Sequence, residues 1–382
     1  MRNKFSEYYP MNKEEYQQLW DSAIFVIDTN VLLNLYRFSN DVSLELLKIF
    51  KSLANRLWIP YQVAWEYHNR RRKVIIKLEN SYNNIIKIID NNLEDIDNKL
   101  KVFKKHPFLD IDYIINKIKK YMEGIKKDLR KKKERFPNWF SKDEIMNKVT
   151  EIFDNKIGKE ISKDELTKIY KEGKKRYNNS IPPGYKDGRV DTSEVTEYSN
   201  NNKKLATYGD LIIWFEIIKK AKKEKKPIIF ITEDKKEDWW LIIDGRTVGP
   251  RYELIREIKD KAGVKFYMYD IYNFQKYAKE YLKAQIKEKT FKELKEFKNL
   301  EMIKPPEVDF DSLIKSLERI KPPKVDYDSL IKSLEMIKPP KIDYDSFLKK
   351  LGEIKKLGEK YNNSDGIIKD DEKPEDTNES NE

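Results

Sequence analysis

Two short runs of this chain have no polar face. Residues 23–28 read AIFVID and residues 227–232 read PIIFIT, and neither alternates apolar with polar side chains. A strand with one solvated face alternates, whereas a strand covered on both faces of a parallel sheet reads as a continuous β-branched and aromatic run. Residues 57–60 form a shorter candidate ended by proline, and residues 264–269 (VKFYMY) a fourth. Between them the spacing is helical, over residues 31–37, 42–53, a long stretch from Tyr61, 205–222, 251–261 and 271–282. Strands alternating with helices predict an α/β fold with a parallel sheet.

The acidic residues are placed to matter in such a sheet. The functional crevice of an open α/β sheet lies outside the carboxyl ends of its strands. Asp28 closes the first run, and Asp234 sits just past the end of residues 227–232. Glu66 falls early in the helix after residues 57–60, and Asp210 falls among apolar neighbours early in the helix that enters residues 227–232. Four hard oxygen donors with no His or Cys nearby favour Mg²⁺ or Mn²⁺ over Zn²⁺. Clusters of this kind hold one or two metal ions that activate water and offset charge on a phosphodiester. Taken singly each acid is ambiguous: Asp28 is also a good helix N-cap, and Glu66 alone reads as a surface residue. The case rests on the set.

Composition removes several other chemistries. The 382 residues contain no cysteine and two histidines, so disulfides, Cys-ligated metals, thiol nucleophiles and multi-His sites are excluded. No apolar run approaches a membrane span, and the N-terminal stretch lacks a signal-type apolar segment, so a soluble, cytoplasmic protein is expected. The balance of 78 Lys+Arg against 66 Asp+Glu gives +12, and charged residues make up 38% of the chain. That excess is local: residues 69–180 carry +12 and residues 364–382 carry −6. Residues 69–180 read as a helical insertion, a long hairpin with breaks near His106-Pro107 and Phe136-Pro137, and with helical spacing at Ile85, Ile86, Ile89, Leu93, Ile96 and Leu100. Residues 126–135 hold seven basic and two acidic residues, including Lys131, Lys132 and Lys133. The run is either a solvated helix face or a surface that tracks phosphates.

Farther on, Ile303-Lys304-Pro305-Pro306 recurs at residues 320–323 and 337–340, a period of 17. Each copy is followed by an acidic–aromatic opening and a short amphipathic run, which suits a docked tail, a string of motifs for a protein partner, or a spacer. The organisation expected is therefore a core of residues 1–68 and 181–283, a basic insertion at 69–180, a helix with repeats at 284–363, and an acidic disordered tail at 364–382.

Four stretches together resemble a known family. Phe25-Val26-Ile27-Asp28-Thr29-Asn30 is similar to the opening motif of PIN-like nuclease domains, and Pro60-Tyr61-Gln62-Val63-Ala64-Trp65-Glu66 to their second acidic motif. Tyr208-Gly209-Asp210-Leu211-Ile212 resembles the third, and Ile229-Phe230-Ile231-Thr232-Glu233-Asp234 the fourth. Pro182-Pro183-Gly184-Tyr185-Lys186-Asp187, Asp238-Trp239-Trp240 and residues 245–251 (GRTVGPR) resemble a bacterial PIN-like branch with a long helical insertion. The likeness covers roughly residues 20–280. It implies a Rossmann-like parallel sheet sandwiched by helices, and a metal-dependent nuclease using Mg²⁺ or Mn²⁺ on RNA or DNA. Asp28, Glu66, Asp210 and Asp234 would be the catalytic, metal-binding acids, with Asn30 and Thr232 orienting them. Asp187 is a possible additional ligand or a turn aspartate. Arg246 and Arg251 would grip phosphate or are ordinary surface arginines. Asp238 reads as structural, Trp239 and Trp240 as core or one of them as a platform for base stacking, and His68 as a spectator.

Rival readings are weaker. A haloacid-dehalogenase-type phosphatase wants a second Asp where Asn30 stands, and no G-x-x-x-x-G-K-[ST] phosphate loop is present. A non-catalytic PIN-like nucleic-acid-binding or adaptor protein is the alternative from a different class. Turnover of RNA, a growth-inhibiting toxin and phage defense are all compatible roles.

Overall fold

The computed structural model describes residues 1–2, 4–187 and 207–302. The proline repeats, the acidic tail and the start of the helix expected from residue 205 lie outside these residues.

The strands are β1 (Ile24–Ile27), β2 (Leu57–Trp58), β3 (Ile228–Ile231), β4 (Trp240–Ile243), β5 (Arg246–Pro250) and β6 (Phe266–Tyr269). Four of them form a parallel sheet in the order β2-β1-β3-β6. Every residue of β1 and β3 is buried, as their unbroken apolar sequences require. Phe25, Val26, Ile27, Ile229, Phe230 and Ile231 lose all solvent contact under the flanking helices. The chain leaves β1 to build β2 on one side and returns to build β3 on the other. The carboxyl ends of β1 and β3 thus flank a topological switch point, where such sheets open a crevice.

β4 and β5 pair antiparallel in a separate ribbon that the strand–helix alternation did not anticipate. Its signal is local: Asp244-Gly245, both at positive φ (49° and 74°), forms the tight turn that Asp-Gly favours between apolar runs.

The insertion is built as a helical hairpin. The helix Tyr61–Lys101 carries Glu66 in its second turn and runs on for 41 residues without a break. The helix Ile111–Glu134 folds back on it, capped by Asp110, whose carboxylate accepts from the Tyr113 amide at 2.8 Å. Three cross-links fix the antiparallel register: Lys119 to Asp97, Lys126 to Asp90 and Lys133 to Asn83. Ile86, Ile89, Leu93, Ile96 and Leu100 are half-buried, whereas Ile85 is exposed. Lys126, from the basic run, is itself buried and committed to Asp90 and Glu123. The helices Glu144–Phe153 and Lys163–Asn178 complete the segment.

Two buried polar knots tie this helical material to the core. Asp143 caps its own helix and accepts from Tyr36 Oη at 2.9 Å and from Arg71 Nη1 at 2.6 Å, while Tyr36 and Tyr67 share a hydroxyl contact at 3.0 Å. Arg176 forks onto Glu257 of the helix Tyr252–Ala262, bonds Glu172, and donates to the Pro182 carbonyl. Trp214 Nε1 also donates to Glu257 at 2.7 Å. Without Arg176 the half-buried Glu257 keeps, among the described residues, only Trp214 and the exposed Lys261, a partial compensation for the cation it loses. Arg176→Met should therefore lower unfolding free energy by about 3 kcal/mol. Arg176→Met/Glu257→Gln should lose less than the single change. Urea denaturation of the three proteins checks this, and a double variant that loses more than the single one would mean the pair is not coupled.

Candidate active site

The pairing of β1 with β3 matches Ile27 to Ile231. That register sets Asp28 beside Thr232, the next residue of each strand. Asp28 N donates to the Ile231 carbonyl at 3.0 Å, which continues the ladder to the acid itself. The Asp28 carboxylate caps the helix Thr29–Asn34, accepting from Thr29 N at 2.7 Å, and its other oxygen accepts from Thr232 Oγ1 at 2.5 Å. The buried Thr232 hydroxyl also accepts from Asp234 N at 3.0 Å and from Asn30 Nδ2 at 3.3 Å. Asn30 Oδ1 in turn accepts from Glu233 N at 2.9 Å. Asn30 and Thr232 together tie the segment after β1 to the segment after β3.

Glu66 is buried. Its Oε1 accepts from Gln62 at 2.9 Å, and its Oε2 pairs with Arg70 at 3.2 Å, both one turn away on the same helix. The start of that helix has Pro60 at the cap position and no capping side chain of its own. Glu216 supplies one from the helix Gly209–Glu224, accepting from Tyr61 N at 2.8 Å and Gln62 N at 3.1 Å. Burial pushes Glu216 up to about 7. Gly209 lets the two helices approach closely, since a Cβ there would stand 2.7 Å from Glu66 Oε1.

Asp210 follows Gly209 and accepts from Trp239 Nε1 at 3.2 Å. Asp187 reaches the same place from a loop whose backbone passes through Gly184 at φ +88°. A Cβ on Gly184 would lie 2.5 Å from Tyr177 Oη and 2.9 Å from Asp210 Cβ. Both the conformation and the space therefore demand glycine. Asp238 is fully buried and pins the loop by accepting from Lys186 N at 3.1 Å. Its second oxygen has no hydrogen-bond partner among the described residues.

One residue at this centre lies outside every motif singled out by sequence. Lys236 Nζ stands 2.6 Å from Asp187, 3.1 Å from Asp234 and 3.7 Å from Asp210. Its amide also donates to Asp234 Oδ1 at 2.8 Å. The one clue in the sequence is a lysine two residues past a strand-end aspartate and just ahead of two tryptophans. Trp239 and Trp240 are buried, and Trp240 Nε1 donates to the Asp234 carbonyl.

The electrostatics follow from burying like charges. Burial pushes Asp28 up to about 7, with Glu66 and Asp234 adding repulsion and the Thr232 hydroxyl opposing it. Burial and the Asp234 charge also hold Asp210 well above the ordinary carboxylate range, against the pull of Lys236. Burial alone would depress the Lys236 ammonium, but Asp210, Asp234 and Asp187 outweigh it and raise its pKa far above that of a free lysine.

The other residues singled out by sequence sit elsewhere. Arg246 is exposed at the start of β5. Arg251 is engaged twice over, forked onto Glu253 and donating to the Glu237 carbonyl at 3.0 Å. Lys131, Lys132 and Lys133 occupy the last turn of the helix Ile111–Glu134, the first two exposed. His68 lies next to Tyr67, its pKa lowered by burial and by Arg71.

Acids thus stand after β1 and after β3, on either side of the switch point of a parallel sheet, and two more on the adjoining helices. A family model described as a PIN like domain matches residues 24–254, more than half of the chain. The chain belongs to the PIN-like domain family. No curated protein and no solved structure gives a match. The PIN-like match spans the whole stretch from β1 to the helix after β5 and includes the insertion.

PIN-like nucleases work with divalent cations, and the donor set here fits one chemically: carboxylates only, with no imidazole or thiolate among them. Asp28 and Asp210, raised by burial and mutual repulsion, are the kind of groups a divalent cation would hold ionised. The spacing is another matter. Among the described residues no three acidic or imidazole side chains converge closely enough to form a finished metal centre, and an ammonium stands where carboxylates would otherwise meet.

A carboxyl whose pKa rises on folding binds its proton more tightly in the folded state. Its stabilising contribution is full below about pH 4 and is lost as pH climbs towards 7. Asp28→Asn should therefore flatten that part of the stability profile in metal-free buffer by roughly 2–4 kcal/mol. The comparison is mutant against wild type at pH 5 and pH 8, by urea denaturation in EDTA. A mutant that keeps the full wild-type difference would show that Asp28 is not the titrating group.

Proposed function

We propose that this protein is a metal-dependent nuclease that hydrolyses phosphodiester bonds in nucleic acid, with RNA the preferred substrate over DNA. The observation that supports this most is the register of β1 against β3, which puts Asp28 and Asp234 just beyond the ends of two paired strands at the switch point of a parallel sheet, with Glu66 and Asp210 supplied by two adjoining helices, in a PIN-like domain. Mg²⁺ or Mn²⁺ bound there would lower the pKa of water and offset charge on the non-bridging oxygens. Asp28, Glu66, Asp210 and Asp234 would hold the ion, with Asp187 a further candidate. Thr232 and Asn30 fix the Asp28 carboxylate and the Asp234 backbone so that little reorganisation is needed when charge develops.

Lys131, Lys132, Lys133 and Arg246 would contact phosphates and supply salt-sensitive affinity rather than sequence reading. Arg251, tied to Glu253, would have to exchange that partner to do so. Roles in RNA turnover, as a toxin or as a phage-defense effector are all consistent with such an activity, and the proline repeats would serve a protein partner.

A second reading has one observation in its favour. Lys236 already neutralises part of the carboxylate charge, as it would in a PIN-like protein that binds nucleic acid without cutting it. Labelled single- and double-stranded RNA and DNA incubated with Mn²⁺ or Mg²⁺ separate the two. Cleavage abolished by EDTA and reduced at least about 100-fold in Asp28→Asn supports the enzyme. Retention without any cleavage selects the non-catalytic reading.

Metal uptake should also release protons, because Asp28 must ionise to serve as a ligand. Mn²⁺ affinity is expected to rise with pH up to about 7 and then level off, with buffer-dependent heats of binding below that value. Affinity independent of pH from 5 to 8 would remove Asp28 from the ligand set. For the insertion, changing Lys131, Lys132 and Lys133 to Gln should flatten the salt dependence of RNA binding. The log–log slope should fall by about 0.7–0.9 for each phosphate that is no longer neutralised. An unchanged slope would make that run a solvated helix face.

A further inference from the structure

Resting on the metal-binding reading above, we propose that Lys236 is a built-in cation of the acidic site. Its ammonium takes the Asp187–Asp210 side of the cluster in place of a second metal ion and leaves the Asp28–Glu66 side, with Asp234 between, for one divalent cation.

Three features make this more than an incidental ion pair. The ammonium is shared by carboxylates from three segments: Asp187 at 2.6 Å on the loop after Gly184, Asp234 at 3.1 Å beyond β3, and Asp210 at 3.7 Å on the helix Gly209–Glu224. The lysine is fixed at its backbone as well as its tip. Its amide donates to Asp234 Oδ1 at 2.8 Å, and its carbonyl accepts from Trp239 N at 3.2 Å and Trp240 N at 3.1 Å. Lastly, among the described residues its ion pairs stop at those three acids and include neither Asp28 nor Glu66.

The arrangement is therefore asymmetric. A divalent ion on the lysine's side would need the same oxygens at about 2.0–2.1 Å for Mg²⁺, and would sit against a positive charge only a few ångströms away. On the other side, Glu66 and Asp234 both repel Asp28. The one cation there among the described residues, Arg70 on Glu66, is half exposed and free to turn to solvent, unlike Lys236 among its three carboxylates. Thr232 and Thr29 donate to Asp28, while Gln62 and Arg70 hold Glu66. A lysine is a compact point charge on a flexible stem. It can take the charge-balancing role of a second ion there, but it cannot activate water as a metal does.

The test counts ions rather than turnover. Purified full-length protein without nucleic acid is titrated with Mn²⁺, and free Mn²⁺ is read by electron paramagnetic resonance. The wild type and Lys236→Arg should each take up one tightly bound ion per chain. Lys236→Met, shown to be folded by circular dichroism, should take up a second. Two ions on the wild type overturn the proposal, as does a folded Lys236→Met that still binds one with unchanged affinity. The latter result leaves the metal-binding reading intact. No bound ion in any of the three proteins overturns both. If Lys236→Met does not fold, the wild-type count decides, one ion supporting the assignment and two refuting it.

Discussion

Everything at this site depends on how β1 lies against β3. Their parallel pairing aligns Ile27 with Ile231, so the next residue of each strand, Asp28 and Thr232, falls side by side outside the sheet. A slip of one residue would turn Asp28 to the other face of its strand and send the Thr232 hydroxyl away from it. The register is protected by burial. Both strands are apolar on both faces, and any slip would leave large side chains such as Phe25 and Phe230 without their packing partners. The hydroxyl of Thr232 then carries the alignment one step farther. It donates to Asp28 and accepts from the Asp234 amide, so the two strand-end acids are placed by one atom.

That placement has an electrostatic consequence. Asp28 and Glu66 are both buried, and Asp234 adds its charge to that of Glu66 on Asp28, as Asp234 and Asp28 do on Asp210. A fold selected for stability alone would replace such groups with apolar ones of similar size, because buried charges are costly unless well compensated. Compensation here is uneven. Lys236 answers Asp187, Asp210 and Asp234, while Asp28 receives hydrogen bonds but, among the described residues, no cation. The imbalance identifies the Asp28 side as the place with a standing preference for a positive ligand.

The sheet, and the position of Asp28 and Asp234 relative to it, were legible in the sequence because each depends on a local pattern. Unbroken apolar runs mark buried parallel strands, and an acid one or two residues beyond such a run sits at its carboxyl end. What escaped the sequence depends on contacts between distant segments. Lys236 looks like one of many lysines until folding brings Asp187 and Asp210 to it across 49 and 26 positions of chain. Glu216 reads as a polar residue on a helix, and only the structure shows it capping the helix that holds Glu66. The β4–β5 ribbon was missed for a different reason. Its Asp244-Gly245 turn is a local signal, but the strands it joins expose Ile242, Ile243 and Val248, so no buried run marked them.

The basic insertion is coupled to the acidic site through a shared element rather than appended to it. Glu66 and the first arm of the hairpin belong to the same helix, Tyr61–Lys101, on which the lysine-bearing helix Ile111–Glu134 folds back. The base of that helix is held from two sides: Glu216 caps its first turn, and the Arg71–Asp143–Tyr36 knot grips it about a turn beyond Glu66. Arg176 does the same for the last insertion helix, and its bond to the Pro182 carbonyl touches the segment that leads to Gly184 and Asp187. Anchors of this kind make the position of the hairpin relative to Glu66 and the Asp187 loop a property of the packed helices, which a flexible tether would not provide.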